Sequence, residues 1–259
     1  MKQEERLRYL LSYLMKEQGI QESITSYSLA QQKQLLRSLM NQRMPMPIDQ
    51  KVIRIQNEYL QEELKHKNII SLSDMTKVQE HVYLYRGDIT CLQVDAIVNA
   101  ANTQMLGCFI PCHGCIDNAI HSFAGIQLRL ACDEIMRKRG KPFPCGEAMI
   151  TSAYELPSTY IIHTVGPIIY GAVTETDQQL LRNCYKHCLC LARTYAIHSL
   201  AFCCISTGEF HYPNEEAAKI AIETVLEDQA ENQTKLEVIF NVFKKEDEAI
   251  YRRLLCNAR

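Results

Sequence analysis

VDAIVNAAN, residues 94–102, runs three consecutive apolar residues, Ala96, Ile97 and Val98, straight into a polar segment. The run is too short for a helix and does not alternate, which marks a strand covered on both faces that opens into a loop. Five further runs read as strands: HVYLYRGD (81–88), EAMITSAY (147–154), YIIHTVGP (160–167), LAFCCISTG (200–208) and KLEVIFNVF (235–243). Longer amphipathic stretches stand between them. Residues 117–140 read as a single helix, and 176–196, 213–228 and 245–255 as three more. Strands separated by helices predict a mixed sheet with helices on both faces, a three-layer α/β/α fold. In such folds ligands sit beyond the carboxyl ends of the strands. Three loops therefore matter: NAANTQMLGC (99–108), HTVGP (163–167) and STGEFHYP (206–213).

Upstream, residues 1–75 read as helical. Leu7, Leu10, Leu11 and Leu14 recur at helical spacing, as do Leu35, Leu36 and Leu39. RMPMPID (43–49) breaks the pattern with two prolines, and a third helix is expected across residues 55–67. The chain divides on this reading into a helical extension, 1–75, and an α/β unit, 76–259. The extension carries no evident chemistry and reads as a layer packed against the main unit, with target docking as the alternative.

The totals narrow the function classes. The 259 residues are 47% hydrophobic with a formal net charge of -2, so nothing pulls the whole chain toward nucleic acid or an anionic membrane. No apolar run approaches the roughly 18 residues of a membrane span. The first residues lack the pattern of a secretion signal, so a cytoplasmic protein is expected. The twelve cysteines then read mostly as small buried apolar residues, Cys203 and Cys204 among them, and not as a disulfide framework.

One loop is richer in sulfur than packing requires. LGCFIPCHGCIDN (106–118) holds Cys108, Cys112, His113 and Cys115. Thiolate and imidazole suit zinc, and three protein ligands with an open fourth position is the arrangement of a catalytic ion. Cys112 complicates the set: it can replace a neighbour as ligand, or pair with Cys115 as a redox C-x2-C. Cys184, His187, Cys188 and Cys190 form a second cluster, but Leu180, Cys184, Cys188 and Leu191 share one helical stripe, which reads as core. STGEFHYP offers backbone amides for a phosphate, or an ordinary strand-to-helix turn. Asp88 in RGDIT is a ligand for an amine, or a turn residue. Asp117 opens a helix, where the positive helix end favours a carboxylate; it is a cap or a general base. His121 and His163 read as polar core residues.

Taken together, GDIT, VDAIVNAAN, LGC…CIDNAIHSFAG, CGEAMITSAYELPSTYIIHTVGP and ISTGEFHYP resemble the macrodomain, the ADP-ribose-binding fold, from about residue 80 to the C-terminus. CIDNAIHSFAG is similar to the MacroD-type hydrolytic branch, whose preceding glycine run is replaced here by the insert with Cys108, His113 and Cys115. With the helical extension, this resembles the zinc-dependent, sirtuin-linked microbial branch. The resemblance implies one Zn2+ per chain, held by Cys108, His113 and Cys115. It implies Asp88 and Ile89 at the adenine, with Phe243 packing on the base. Asn102 and Asp117 fall at the distal ribose as catalytic residues, and Asn118 falls among the substrate contacts. Ser206, Thr207, Gly208, Glu209 and Phe210 fall around the diphosphate.

Two residues depart from the family pattern. His211 replaces the second glycine of the diphosphate loop. Glu209 replaces an aliphatic residue, and faces either solvent or the zinc side. The implied activity is hydrolysis of mono-ADP-ribose from acidic side chains. The alternatives are a reader that binds without cleaving, and a deacylase of O-acyl-ADP-ribose. The implied partners are ADP-ribose and an ADP-ribosylated protein, by association a lipoyl-carrier protein modified by a sirtuin-type transferase.

Overall fold

The computed structural model describes residues 1–233 and 235–257. Three helices come first: α1 (Gln3–Glu17), α2 (Leu29–Gln42) and α3 (Gln50–Lys65). The leucine stripe of α1 packs with Leu36 and Leu39 of α2 and with Val52, Ile55 and Tyr59 of α3 into a core of its own. Ser28 and Gln31 form a reciprocal capping box at the start of α2, and Asp49 caps α3. Arg43 braces the proline break between these helices. Its guanidinium pairs with Glu17 at 2.7 Å and donates to the carbonyls of Met44, Met46 and Pro47.

The seven strands are β1 (Thr76–Gln79), β2 (Val82–Arg86), β3 (Ala96–Ala100), β4 (Ala148–Ser152), β5 (Tyr160–Thr164), β6 (Ser199–Phe202) and β7 (Glu237–Val242). They form one sheet in the order β1-β2-β7-β6-β3-β5-β4, with five parallel central strands and an antiparallel strand at each edge. The edge strand β1 is absent from the sequence reading. None of its four residues is buried, so it carries no apolar run to find.

The remaining helices are α4 (Ile116–Ala124), α5 (Ile126–Arg139), α6 (Glu175–Thr194), α7 (Asn214–Asn232) and α8 (Lys245–Asn257). Crossovers between parallel strands are right-handed. The β5-α6-β6 and β6-α7-β7 connections both move toward β1, which places α6 and α7 on one face. Helices α4 and α5 lead the other way, from β3 to the antiparallel edge strand β4, which returns as β5 beside β3. The chain direction therefore reverses between the neighbours β3 and β6. The loop after β3 leaves toward one face and the loop after β6 toward the other, opening a crevice between them.

The single helix expected over 117–140 is two helices. Gly125 breaks it with φ +96°, and any Cβ there would lie 2.6 Å from Gln56 Nε2 of α3. Gln56 is fully buried, and its Oε1 accepts the first N–H of α5, from Ile126, at 2.9 Å. A residue of the extension thus supplies the cap that restarts the chain as α5. The sulfur-rich stripe of α6 is core as expected: Cys184 and Cys188 are fully buried, and the Cys184 thiol donates to the Val165 carbonyl.

Candidate active site

Residues 101–115 leave β3 and turn back on themselves, because Met105, Gly107 and Cys112 adopt φ of 60°, 80° and 52°. The reversal gathers Cys108 Sγ, a ring nitrogen of His113 and Cys115 Sγ within 4.8 Å of one another. Cys108 Sγ lies 3.7 Å from His113 Nδ1. A tetrahedral zinc with Zn–S of about 2.3 Å and Zn–N of about 2.0 Å would hold such a pair about 3.5 Å apart. The donor set and its spacing fit the ion. Cys115 is also the N-cap of α4, where its Sγ accepts the Asn118 N–H at 3.4 Å. Burial pushes the Cys115 thiol up to about 12, with Cys108 and Asp117 adding to the rise. Such a thiol ionises only beside a cation.

Cys112 stands apart from this group. Its thiol donates to the Gln34 carbonyl of α2 at 3.4 Å, and its N–H donates to Asn41 Oδ1 at 2.9 Å. All the cysteines are free thiols, so the C-x2-C pair with Cys115 is not a disulfide. His121, Cys132 and His163 make a second compact group, but a fully buried one. Both ring nitrogens of His163 are engaged there, with Asn99 Nδ2 at 3.1 Å and Thr151 Oγ1 at 2.9 Å. The Arg129 charge nearby also opposes a second cation.

Asp117 occupies the first turn of α4 and is buried. Asn99 donates to its Oδ1 at 2.8 Å, and Asn102 approaches Oδ2 at 3.4 Å. Burial raises this carboxyl to about 6, against the lowering effects of the Asn99 hydrogen bond and the Arg129 charge. His121 Nε2 lies 3.6 Å from the same carboxylate, and burial holds that imidazole neutral, far below its ordinary range. Asn99 is the residue sequence reasoning missed. It sits in NAAN beside Asn102, and only its place on the buried face of β3 shows that it, too, holds Asp117. Asn118, expected among the substrate contacts, has a fully buried side chain committed to the loop. Its Nδ2 donates to the Ile110 carbonyl at 2.9 Å, and its Oδ1 accepts from Arg37 at 2.8 Å.

Across the crevice, residues 203–213 follow β6. Ser206 takes φ +66° and His211 φ +56°, and the Tyr212 N–H closes the loop onto the Ser206 carbonyl at 3.0 Å. His211 thus keeps the left-handed conformation that a glycine would supply, at a backbone cost of about 1–2 kcal/mol. Gly166 of HTVGP lets this loop approach: a Cβ there would stand 1.9 Å from Ser206 Oγ. Thr207 Oγ1 donates to the Cys204 carbonyl at 3.0 Å, and nothing stands within 4 Å of a Cβ built on Gly208. The loop is tied at its base and open at its tip. Glu209 is exposed and turns toward the three donors, with Oε1 3.7 Å from His113 Nε2. The Phe210 carbonyl accepts the Ile169 N–H at 2.9 Å.

At the far end, β2 and β7 finish side by side, with Arg86 paired to Val242. Asp88, Ile89 and the exposed Phe243 therefore emerge together. Asp88 Oδ1 accepts from the Thr90 N–H at 2.9 Å, so it serves its own turn, while Oδ2 faces Lys67 Nζ at 3.7 Å. Ile89 is buried and offers its backbone only.

Residues 98–221 match the Macro domain family. A protein of Treponema medium named Protein-ADP-ribose hydrolase is 48% identical over 98% of this chain and 100% of its own length. One of the same name from Staphylococcus aureus strain Mu50 is 41% identical over 96% of this chain and 95% of its own. Among solved structures, the Trypanosoma brucei macrodomain in complex with ADP-ribose superposes with a TM-score of 0.66 at 29% identity, covering 84% of this chain and 94% of that one. With full-length relatives at that identity and the crevice its topology creates, the chain belongs to the macrodomain family.

Proposed function

We propose that this chain is a protein-ADP-ribose hydrolase that removes mono-ADP-ribose from acidic side chains and uses an active-site zinc to do so. The relatives named for that hydrolysis match end to end, which supports the activity. One observation carries the metal: two thiols and an imidazole converge within 4.8 Å at the mouth of α4, two residues from Asp117. Cys108, His113 and Cys115 would hold the ion and leave a coordination position free. A bound zinc supplies a Lewis acid where charge develops at the distal ribose.

The chain's own residues do the remaining work. The amides at 206–210 receive the diphosphate, which fixes the distal sugar relative to α4. Asn99 and Asn102 hold the Asp117 carboxylate in one orientation. Asp88 and Phe243 receive the adenine end. By the resemblance, the modified target would be a small lipoyl-carrier protein.

The deciding experiment pairs metal analysis with hydrolysis of a substrate carrying ADP-ribose on aspartate or glutamate, with and without a chelator. One zinc per chain, and turnover lost on chelation and restored by zinc, is the expected result. Full turnover by folded, metal-free protein would reject the zinc. Tight ADP-ribose binding with no turnover under any condition would leave a reader. Cleavage of the free O-acyl ester alone would leave a deacylase.

A further inference from the structure

Helix α2 lies against the metal loop along much of its length. Arg37 donates to the carbonyl of the ligand residue His113 at 3.3 Å and to Asn118 Oδ1 at 2.8 Å. Asn118 in turn ties the loop to itself through Ile110 and Cys108. One turn further along α2, the fully buried Asn41 bridges the loop and α4. It accepts the Cys112 N–H at 2.9 Å and donates to Ser122 Oγ at 2.8 Å. The Cys112 thiol adds a contact to Gln34.

The end of α2 is held as well. Helix C-termini leave carbonyls without intrahelical partners. Here the buried Arg129 of α5 takes those of Met40, Asn41 and Arg43. Its Nε donates to Leu106 at the start of the loop at 2.7 Å, and its guanidinium lies 4.3 Å over the Phe109 ring. The loop from Leu106 to Asn118 is thus gripped at its start by Arg129 of α5, which also holds the end of α2, and at its end by Arg37 of α2.

We propose that α2 is part of the scaffold of the metal centre, with Arg37 and Asn41 as positioning residues that set the spacing of Cys108, His113 and Cys115. This rests on the zinc reading above. A loop with three left-handed residues has many conformations of similar energy, and ligand spacing selects the metal only if something fixes it. Within the α/β unit Arg129 holds Leu106, Asn102 holds Gly107, and Asn118 holds Cys108 and Ile110. The extension adds the contacts to Cys112 and His113.

The test uses the full chain, with Arg37→Met, Arg37→Lys, Asn41→Leu and a control, Arg6→Met, which removes the Arg6–Glu58 pair inside the extension. Zinc affinity is measured by competition with a chromophoric chelator, ligand geometry by the thiolate-to-metal absorption of the cobalt-substituted chain, and folding by melting of the metal-free chain. Arg37→Met and Asn41→Leu are expected to weaken zinc about 10- to 100-fold and to shift the cobalt spectrum. Arg37→Lys should lose less, since its ammonium keeps the charge, and Arg6→Met should match wild type.

Zinc affinity and cobalt spectrum equal to wild type in Arg37→Met and Asn41→Leu overturn the inference alone. So does a loss that Arg6→Met shows equally for the same drop in melting temperature, or a failure to fold that zinc-saturated medium does not correct. A wild-type chain that takes up no zinc overturns the metal reading and this inference together.

Discussion

Two segments of this chain hold the same chemistry in different geometry. Residues 108–115 contain three cysteines and a histidine; so do residues 184–190. In the first, left-handed residues at Met105 and Gly107 just before it and at Cys112 within it fold the chain back, and three donor atoms meet within 4.8 Å. In the second, the helical period separates the same residue types. Cys184 and Cys188 face the core, Cys190 faces solvent, and His187 turns to the Gly146 carbonyl. Side chains on a helix share a face only at i+3 and i+4, and there a core claims that face first. Composition sets what a segment can bind; backbone path sets whether the donors meet.

That contrast can be broken most directly at Cys115. Cys115→Ala should reduce zinc from one ion per chain to none and abolish hydrolysis, read by metal analysis and a turnover assay. Cys115→Ser separates the two roles of this residue. It keeps a cap for α4, worth about 1 kcal/mol, while still losing the metal. Equal zinc content in both variants and wild type would erase the distinction between the two segments.

A smaller effect is expected at the facing loop, which also depends on backbone approach. Gly166→Ala places a methyl 1.9 Å from Ser206 Oγ and 2.9 Å from Ile205 Cγ2, so the Ser206 hydroxyl must rotate away and the Ile205 side chain must give, which disturbs the start of the loop. ADP-ribose affinity by calorimetry should fall at least about tenfold, corresponding to about 1.4 kcal/mol or more, with zinc content unchanged. Unchanged affinity would show that the amides at 206–210 are not what fixes the ligand.

The helical segment provides the complementary test. Cys188→Ser buries a hydroxyl among apolar neighbours and should cost about 1–3 kcal/mol of stability by denaturant melts. Zinc content and turnover of the folded fraction should remain at wild-type levels. A loss of zinc there would mean that α6 takes part in metal binding.

The smallest change is expected at His211→Gly. Relief of the left-handed strain is offset by the extra freedom of glycine in the unfolded chain, so stability should shift by less than about 1 kcal/mol. A loss larger than that would assign the imidazole a contact of its own.

The strands at VDAIVNAAN and YIIHTVGP were legible because buried parallel strands are written as unbroken apolar runs. The edge strand at residues 76–79 was not, because it buries nothing. The break at Gly125 was also hidden: one glycine within a helical pattern is tolerated, and the reason for it, Gln56, lies 69 residues upstream in another element. Asp117 could be found as a carboxylate at a helix start. Asn99 could not, since an asparagine inside a strand reads the same whether it serves the sheet or a neighbouring carboxylate.

The sequence by itself determined the alternation of strands and helices, the positions of the crevice loops and the kinds of atoms each loop can offer, since these follow from local periodicity and side-chain chemistry. Only the tertiary structure decided which of the four sulfur and imidazole groups converge. It also turned Cys112 toward α2, brought Glu209 to His113, and joined the extension to the loop through Arg37, Asn41 and Arg129. Those outcomes depend on contacts between residues far apart along the chain, whose geometry is fixed only when the elements pack.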